Sequence, residues 1–183
     1  FSSSEPPEAS YLDMRVSTGD FGFQQIQLKV GQQRGPFSYI MNFSRNQADG
    51  FREHSAMKNS VVNGKLRWEI DPNLSFTFLT NYAVNPLAND PGALTKDQVV
   101  ENRSSARDRN VQYNSGESVS QFRIAVVAEK KFSPHQRLQT RAYFTTRDFE
   151  NRLPFESGGQ VQFSRLFSGS GITYFSSGLI LGI

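Results

Sequence analysis

Apolar and polar residues alternate along most of this sequence, and that pattern strongly limits the folds open to the chain. Segment 37–44 shows it clearly, because Phe37, Tyr39, Met41 and Phe43 are separated by single residues that are mostly polar. Alternation of this kind places one set of side chains on each face of a β-strand. The pattern recurs in segments 11–17, 24–30, 65–70, 74–82, 121–129, 138–146, 159–167 and 172–177. We therefore predict an all-β chain of about nine long strands.

The connections between these strands alternate in length. Short turns that contain Pro or Gly are predicted at 33–36, 71–73, 133–136 and 168–171, and longer polar loops at 45–60, 86–117 and 148–158. The first connection, 18–23, belongs with the loops although it is short. Because successive antiparallel strands run in opposite directions, this alternation puts the turns at one end and the loops at the other. The sequence thus predicts an antiparallel up-and-down meander.

One short helix is predicted in the longest loop. Thr95 and Gln98 have the spacing of a capping box, in which each side chain accepts a hydrogen bond from a free backbone N–H group. We expect this helix to extend from about residue 96 to about residue 103 and to be the only helix of the chain.

Composition excludes several function classes. Cysteine is absent, which excludes disulfides, thiolate metal sites and cysteine nucleophiles. The sequence has no run of about 18 apolar residues, which a transmembrane helix would need. Residues 1–10 lack the features of a signal peptide, so an export signal is expected upstream unless the protein is not exported. Nucleic acid is not an expected partner, because the net charge is only +3 and the basic residues are spread along the chain.

Two architectures are compatible with the alternation, a membrane β-barrel and a soluble β-sandwich. Predicted strands of roughly ten residues are long enough to cross a bilayer when tilted, whereas sandwich strands are usually shorter. Tyr39, Trp68 and Tyr82 lie near strand ends, where aromatic side chains favour the membrane interface. The strand face opposite the apolar one carries Lys29, Lys65, Arg67, Glu69, Arg123, Glu129 and Arg141. So many charges suit a watery lumen better than a dry core, which favours the barrel and leaves the soluble sheet as the alternative.

Several segments resemble the barrel of the TonB-dependent outer-membrane receptors. The turn 19–22 (GDFG), the strand that begins at Phe37, the loop 48–55 (ADGFREHS) and segment 63–66 (NGKL) are similar to the opening barrel strands of that family in order and spacing. Segments 86–95, 116–119 and 147–155 are similar to those of receptors for iron complexes. The resemblance extends over roughly residues 11–175.

This resemblance implies that residues 11–177 are part of a 22-stranded transmembrane β-barrel in the bacterial outer membrane. It also implies that the barrel belongs to a receptor that imports an iron–siderophore complex. The implied partners are a ferric siderophore or similar metal chelate, outer-membrane lipid, and the TonB complex. Contact with TonB would need a plug region that we do not find here, so we expect the chain to be a fragment. Residues 1–10 and 178–183 are interpreted as N-terminal and C-terminal tails, since 177–183 breaks the alternation.

Signals of catalysis are weak. His54 and His135 are expected at opposite ends of the strands, which disfavours a metal site that uses both. Segment 116–120 (GESVS) lacks the second glycine of a nucleophile elbow, and the Asp49-Gly50 pair is not followed by a calcium loop. We therefore expect no enzymatic activity, no bound metal and no cofactor.

Ligand contact is the function that individual residues support best. Ferric siderophores are often anionic, so a receptor would bind them with arginine and aromatic side chains on its outer loops. The candidate ligand-binding residues are Arg52 in the second loop and Arg103, Arg107, Arg109 and Tyr113 in the third. The alternative is that these are solvated loop charges, or that they pair with anionic lipopolysaccharide.

Two other functions stay open. A soluble β-rich module that binds carbohydrate through exposed aromatic residues would bury its apolar stripes in one closed core. Single-stranded nucleic-acid binding needs aromatic and basic residues interleaved on one face. We expect them on opposite faces of each strand, which disfavours this function.

Overall fold

The strands lie in the sheet in the same order as in the chain, and all neighbouring pairs are antiparallel. This computed structural model describes residues 9–177. The strands are β1 (Tyr11–Thr18), β2 (Gln24–Arg34), β3 (Phe37–Ala48), β4 (Met57–Asp71), β5 (Leu74–Asn89), β6 (Gly116–Ser133), β7 (Gln136–Arg152) and β8 (Gln160–Ser176). Helices α1 (Lys96–Asn102) and α2 (Asp108–Gln112) lie between β5 and β6. The predicted all-β antiparallel meander is confirmed. The predicted tails fall outside the described residues, apart from Ala9 and Ser10.

The described sheet has eight strands, where alternation predicted about nine. Segments 159–167 and 172–177 form one continuous strand, β8, so the predicted turn at 168–171 is wrong. Gly169 is paired with Tyr143 on β7, and a Cβ atom at Gly169 would lie 2.6 Å from the Tyr143 hydroxyl oxygen. Glycine in this strand therefore makes room for a large neighbouring side chain.

Turns and loops occupy opposite ends of the sheet, as the connection lengths predicted. The turns at 35–36, 72–73 and 134–135 form one end, called here the turn end. The loops 19–23, 49–56, 90–115 and 153–159 form the other, called the loop end. Strands β3, β5 and β7 extend further into the predicted loops than expected. In β5 this extension includes Pro86, where the pairing with β6 shifts register between Asn85 and Ala88.

Helix α1 begins as predicted. Thr95 is its N-cap, the Thr95 hydroxyl accepts from the Gln98 backbone N–H at 3.3 Å, and the Gln98 side chain accepts from the Thr95 N–H at 2.9 Å. The expectation that the chain has a single helix is wrong, because α2 follows after a short bend. The N-cap of α2 is Arg107, which makes no side-chain cap hydrogen bond, so the sequence lacks the signal that marks α1. Neither described helix is long and apolar enough to cross a bilayer.

Replacing Thr95 with alanine is expected to destabilise α1 by about 1 kcal/mol, because the Gln98 N–H loses its acceptor. Amide hydrogen exchange in Lys96–Asn102 should become about fivefold faster. Thr95→Ser keeps a hydroxyl and serves as the control. Equal exchange rates in the alanine and serine variants would contradict the role of the cap.

Pairing register separates the side chains of the sheet into two faces. The apolar face comprises Leu12, Met14, Val16, Ile26, Leu28, Val30, Phe37, Tyr39, Met41, Phe43, Val62, Leu66, Trp68, Phe76, Phe78, Tyr82, Val84, Phe122, Ile124, Val126, Ala128, Leu138, Ala142, Phe144, Leu166, Ile172 and Tyr174. The polar face carries, among others, Asp13, Arg15, Lys29, Asn42, Asn63, Lys65, Arg67, Glu69, Asn81, Gln121, Arg123, Glu129, Arg141, Thr145, Arg147 and Arg165.

The apolar face does not pack into a closed core within residues 9–177. Only Ile40 and Ala106 are buried hydrophobic residues in this part of the chain. The exposed large side chains of the apolar face range from Trp68 at 37% to Ile172 at 76%, and the other large side chains of this face are half-buried. Near the turn end, the Trp68 ring stacks on Phe37 at 5.8 Å. Aromatic residues of this face therefore contact their strand neighbours rather than a second layer of described residues.

Candidate functional site

At the loop end, the loops contact one another through many hydrogen bonds, and Arg52 of loop 49–56 binds loop 90–115. The Arg52 guanidinium donates hydrogen bonds to three backbone carbonyl oxygens, those of Ser105 at 2.9 Å, Gly92 at 2.7 Å and Pro91 at 3.2 Å. The planar guanidinium carries five N–H donors and can satisfy several acceptors at once. Arg52 therefore joins two separate stretches of loop 90–115 to loop 49–56.

The two residues after Arg52 add further contacts between the same loops. The Glu53 backbone N–H donates to the carbonyl oxygen of Ser104 at 2.8 Å, and the Glu53 carboxylate accepts from the Ala106 N–H at 3.4 Å. The His54 ring nitrogen Nε2 lies 2.7 Å from the carbonyl oxygen of Ser115. Three consecutive residues of loop 49–56 thus contact loop 90–115 near its start, its middle and its end.

Loop 90–115 is closed on itself by Asn110, which is 1% exposed. The Asn110 amide donates to the carbonyl oxygen and to the carboxylate of Asp90, both at 3.1 Å. Gly92 adopts a positive φ of +69°, and a Cβ atom there would lie 2.5 Å from Oδ1 of Asn110. Both the backbone angle and the space at this position require glycine.

Loop 19–23 joins the same assembly. The carbonyl oxygen of Phe21 accepts hydrogen bonds from the N–H groups of Asp49 and Gly50 at 2.9 and 3.2 Å. The Phe21 and Phe51 rings pack edge to face at 5.3 Å, and the Arg103 guanidinium lies 5.0 Å from the centre of the Phe51 ring. Loops 19–23, 49–56 and 90–115 therefore form one packed layer, called here the loop cap.

All five candidate ligand-binding residues lie in the loop cap. Arg52 is half-buried and its guanidinium is already bonded to carbonyl oxygens, which indicates a structural role. Arg103 is exposed and lies over Phe51, while Arg107 and Arg109 are exposed at the start of α2. Tyr113 ends α2 and lines a groove shared with Arg152 and loop 153–159. Arg52 and Arg107 meet at Pro91, whose carbonyl oxygen accepts from the Arg52 side chain and from the Arg107 backbone N–H. Ligand binding by these residues stays a prediction.

No protein-family model matches the chain. The loop cap carries three exposed arginines, Arg103, Arg107 and Arg109, on loops that are joined by side-chain and backbone hydrogen bonds.

Metal binding finds no support in the described part of the chain. Residues 9–177 contain no group of three or more His, Cys, Asp and Glu side chains that could hold a metal ion. His54 lies in the loop cap and His135 in a turn at the opposite end of the sheet, as expected.

The polar face contains a feature that sequence reasoning missed. The Arg137 guanidinium lies 4.2 Å from the centre of the Phe175 ring, that of Arg165 5.0 Å from Phe163, and that of Arg147 5.6 Å from Phe149. The expectation that basic and aromatic residues lie on opposite faces is therefore wrong for β7 and β8. The signal was available, because Arg147 and Phe149, and likewise Phe163 and Arg165, are two residues apart and so share a face.

Proposed function

We propose that this chain forms part of the barrel of a TonB-dependent receptor in the bacterial outer membrane, and that the receptor imports an iron–siderophore complex. The apolar face is the observation that carries the proposal. It extends over eight strands and is uncovered within residues 9–177. Large exposed apolar patches are rare on soluble proteins and mark surfaces that contact a partner or a membrane. An apolar face opposite a charged one is what a barrel wall between lipid and water requires.

Strand length supports a membrane wall. Strands β4 to β8 have 15, 16, 18, 17 and 17 residues. A tilted strand crosses the hydrocarbon core with about nine to eleven residues. The longer strands would therefore project beyond the bilayer and raise the loop cap above the membrane surface, with the turn end at the periplasmic side.

Burial differs between the two faces in the direction that a barrel requires. Ile40, Ser75 and Thr145 lie on the polar face and are 9%, 9% and 0% exposed. On the apolar face, Met41 beside Ile40 is 48% exposed, and the residues beside Ser75 and Thr145 are half-buried. Side chains crowd on the inner side of a curved sheet and spread on its outer side. The pattern favours a polar face turned towards a lumen.

The assignment to TonB-dependent receptors is supported by the resemblance of the sequence, and the substrate by the exposed arginines of the loop cap. Arg103, Arg107 and Arg109 would meet an anionic ferric chelate at the end that faces outside. The outer edges of β1 and β8 have no partner strand among residues 9–177, and lipid cannot hydrate such edges, so the proposal requires further strands to close the barrel. The chain would contribute binding surface and no covalent chemistry.

The alternative is a soluble β-rich module that binds carbohydrate. It requires the apolar stripes to converge on one closed core, and the described residues place them on one open face. The geometry therefore favours the membrane wall.

Membrane fractionation tests the proposal. The full-length protein should be recovered in the outer-membrane fraction, require detergent for extraction, and migrate faster on a gel before heating than after. Recovery in the soluble fraction would overturn the proposal. The receptor assignment has its own test, since uptake of radiolabelled ferric citrate or ferric enterobactin by cells expressing the protein should be lost when TonB is deleted. TonB-independent uptake would remove the protein from this family.

A further inference from the structure

Arginines on the polar face of β6, β7 and β8 form a positively charged field. Arg123, Arg141, Arg147 and Arg165 occupy this face, and none of them forms an ion pair within residues 9–177. The acidic residues at polar-face positions of these strands lie towards the ends. They are Glu117, next to the loop end, and Glu129, which pairs with Arg137 at 3.7 Å. The centre of the field thus lacks a described carboxylate.

Two of these arginines face each other directly. Arg147 on β7 is paired with Arg165 on β8 in the sheet register. Like charges directly opposite on neighbouring strands destabilise a sheet. Each guanidinium lies over a phenylalanine ring of its own strand, and the two rings, Phe149 and Phe163, stack on each other at 5.1 Å. Two arginines and two stacked phenylalanine rings therefore lie side by side on the polar face.

A second and independent observation concerns the Nε atom of Arg147. This atom is shielded from solvent and has no hydrogen-bond partner among the described residues. Burial of an unsatisfied donor on a charged group is destabilising, so native proteins supply an acceptor for nearly every such atom. An external acceptor reaches this atom only if the Arg147 side chain turns outward, and a hydrogen bond formed there would remove the cost.

We propose that Arg147 and Arg165 together bind an oxyanion, of the carboxylate or phosphate class, on the polar face of β7 and β8. An oxyanion bound to both guanidiniums would accept charge-assisted hydrogen bonds from each, and from Nε of Arg147 once that side chain turns outward. It would also offset the repulsion between them. The site is built only from residues of the polar face. The proposal is therefore independent of whether that face lines the lumen of a barrel. Its occupant is either a small anion from solution or the acidic side chain of a polypeptide segment.

Calorimetric titration of the folded full-length protein tests the site. The probes are inorganic phosphate, glutarate and a hexaglutamate peptide, each at low ionic strength because exposed charge interactions are screened by salt. We expect saturable binding of at least one probe, weakened at least tenfold in Arg147→Gln and in Arg165→Gln. The matched control is Arg67→Gln, because Arg67 lies on the same face but is already paired with Glu69 at 3.0 Å. The affinity of the Arg67→Gln variant for each probe should equal that of the wild-type protein.

The pattern across probes identifies the source of the anion. Binding of hexaglutamate alone indicates a polypeptide segment, whereas binding of phosphate or glutarate indicates a small anion. No saturable binding to the wild-type protein, an equal loss in Arg67→Gln, or a loss in only one of the two test variants would overturn the paired site. Circular dichroism establishes that each variant is folded. Should Arg147→Gln not fold, Arg147→Lys replaces it, because it keeps the charge and removes the Nε donor.

Discussion

Arginine in place of Met41 is expected to destabilise the proposed membrane barrel by about 2–4 kcal/mol, the cost of placing a guanidinium near the bilayer midplane on the side that we propose faces lipid. Met41 lies on the apolar face, near the middle of β3, and is 48% exposed. Its neighbours across the sheet are Val30 and Gly64, neither of which has a long side chain. Steric effects should therefore be small. In water the same exposed substitution would change stability by less than about 0.5 kcal/mol.

The matched control is Asn63→Arg on the polar face of the neighbouring strand. Asn63 is exposed and lies between Asn42 and Asn81, so the new charge meets no like charge directly opposite. Because Asn63 accepts a hydrogen bond from the Asn81 side chain at 2.8 Å, we expect this variant to lose about 0.5–1.5 kcal/mol, less than Met41→Arg. Equilibrium unfolding of the full-length protein from lipid vesicles, followed by the loss of β-sheet circular dichroism, measures all three proteins. Wild-type stability in Met41→Arg, or equal losses in both variants, would mean that the apolar face does not contact hydrocarbon.

The two faces of the sheet could be predicted from sequence because side-chain alternation is a local property of a strand. The turn at 35–36 and the capping box at Thr95 could likewise be predicted, because each depends on residues that are close together in the chain. The prediction of a break in β8 failed for the opposite reason. Considered without its strand partner, Gly169 indicates a turn. Its partner Tyr143 on β7 explains why glycine is needed within the strand.

The loop cap could be predicted only in outline. Loop positions and the exposure of Arg103, Arg107 and Arg109 follow from composition, since a long polar segment joins two strands. The bonding of Arg52 does not, because its acceptors lie 39, 40 and 53 residues further along the chain. Those acceptors are backbone carbonyls, which every residue carries, so no side-chain pattern identifies them.

Arg52→Ala is expected to release loop 90–115 from loop 49–56. The substitution removes the hydrogen bonds from the guanidinium to the carbonyl oxygens of Pro91, Gly92 and Ser105. Among these three oxygens, only the Pro91 oxygen keeps another described donor, which is the Arg107 N–H. Hydrogen bonds to charged groups each contribute about 1.5–3 kcal/mol, and half-burial of Arg52 lowers the sum, so we expect a local loss of roughly 3 kcal/mol. Amide hydrogen exchange within residues 90–115 should accelerate about 100-fold.

Two controls separate bonding geometry from charge. Arg52→Lys keeps the positive charge, but a single ammonium group cannot bond three carbonyl oxygens held in the plane of a guanidinium, so an intermediate effect is expected. Arg103→Ala removes only the contact with the Phe51 ring and should cost about 0.5–1 kcal/mol. If Arg52 acts only by holding the loop, the loss of ligand affinity in Arg52→Ala should be no larger than the loss of loop stability measured by hydrogen exchange. Unchanged exchange in Arg52→Ala together with weaker binding of a ferric chelate would contradict the structural role, because the guanidinium would then act on the ligand and not on the loop.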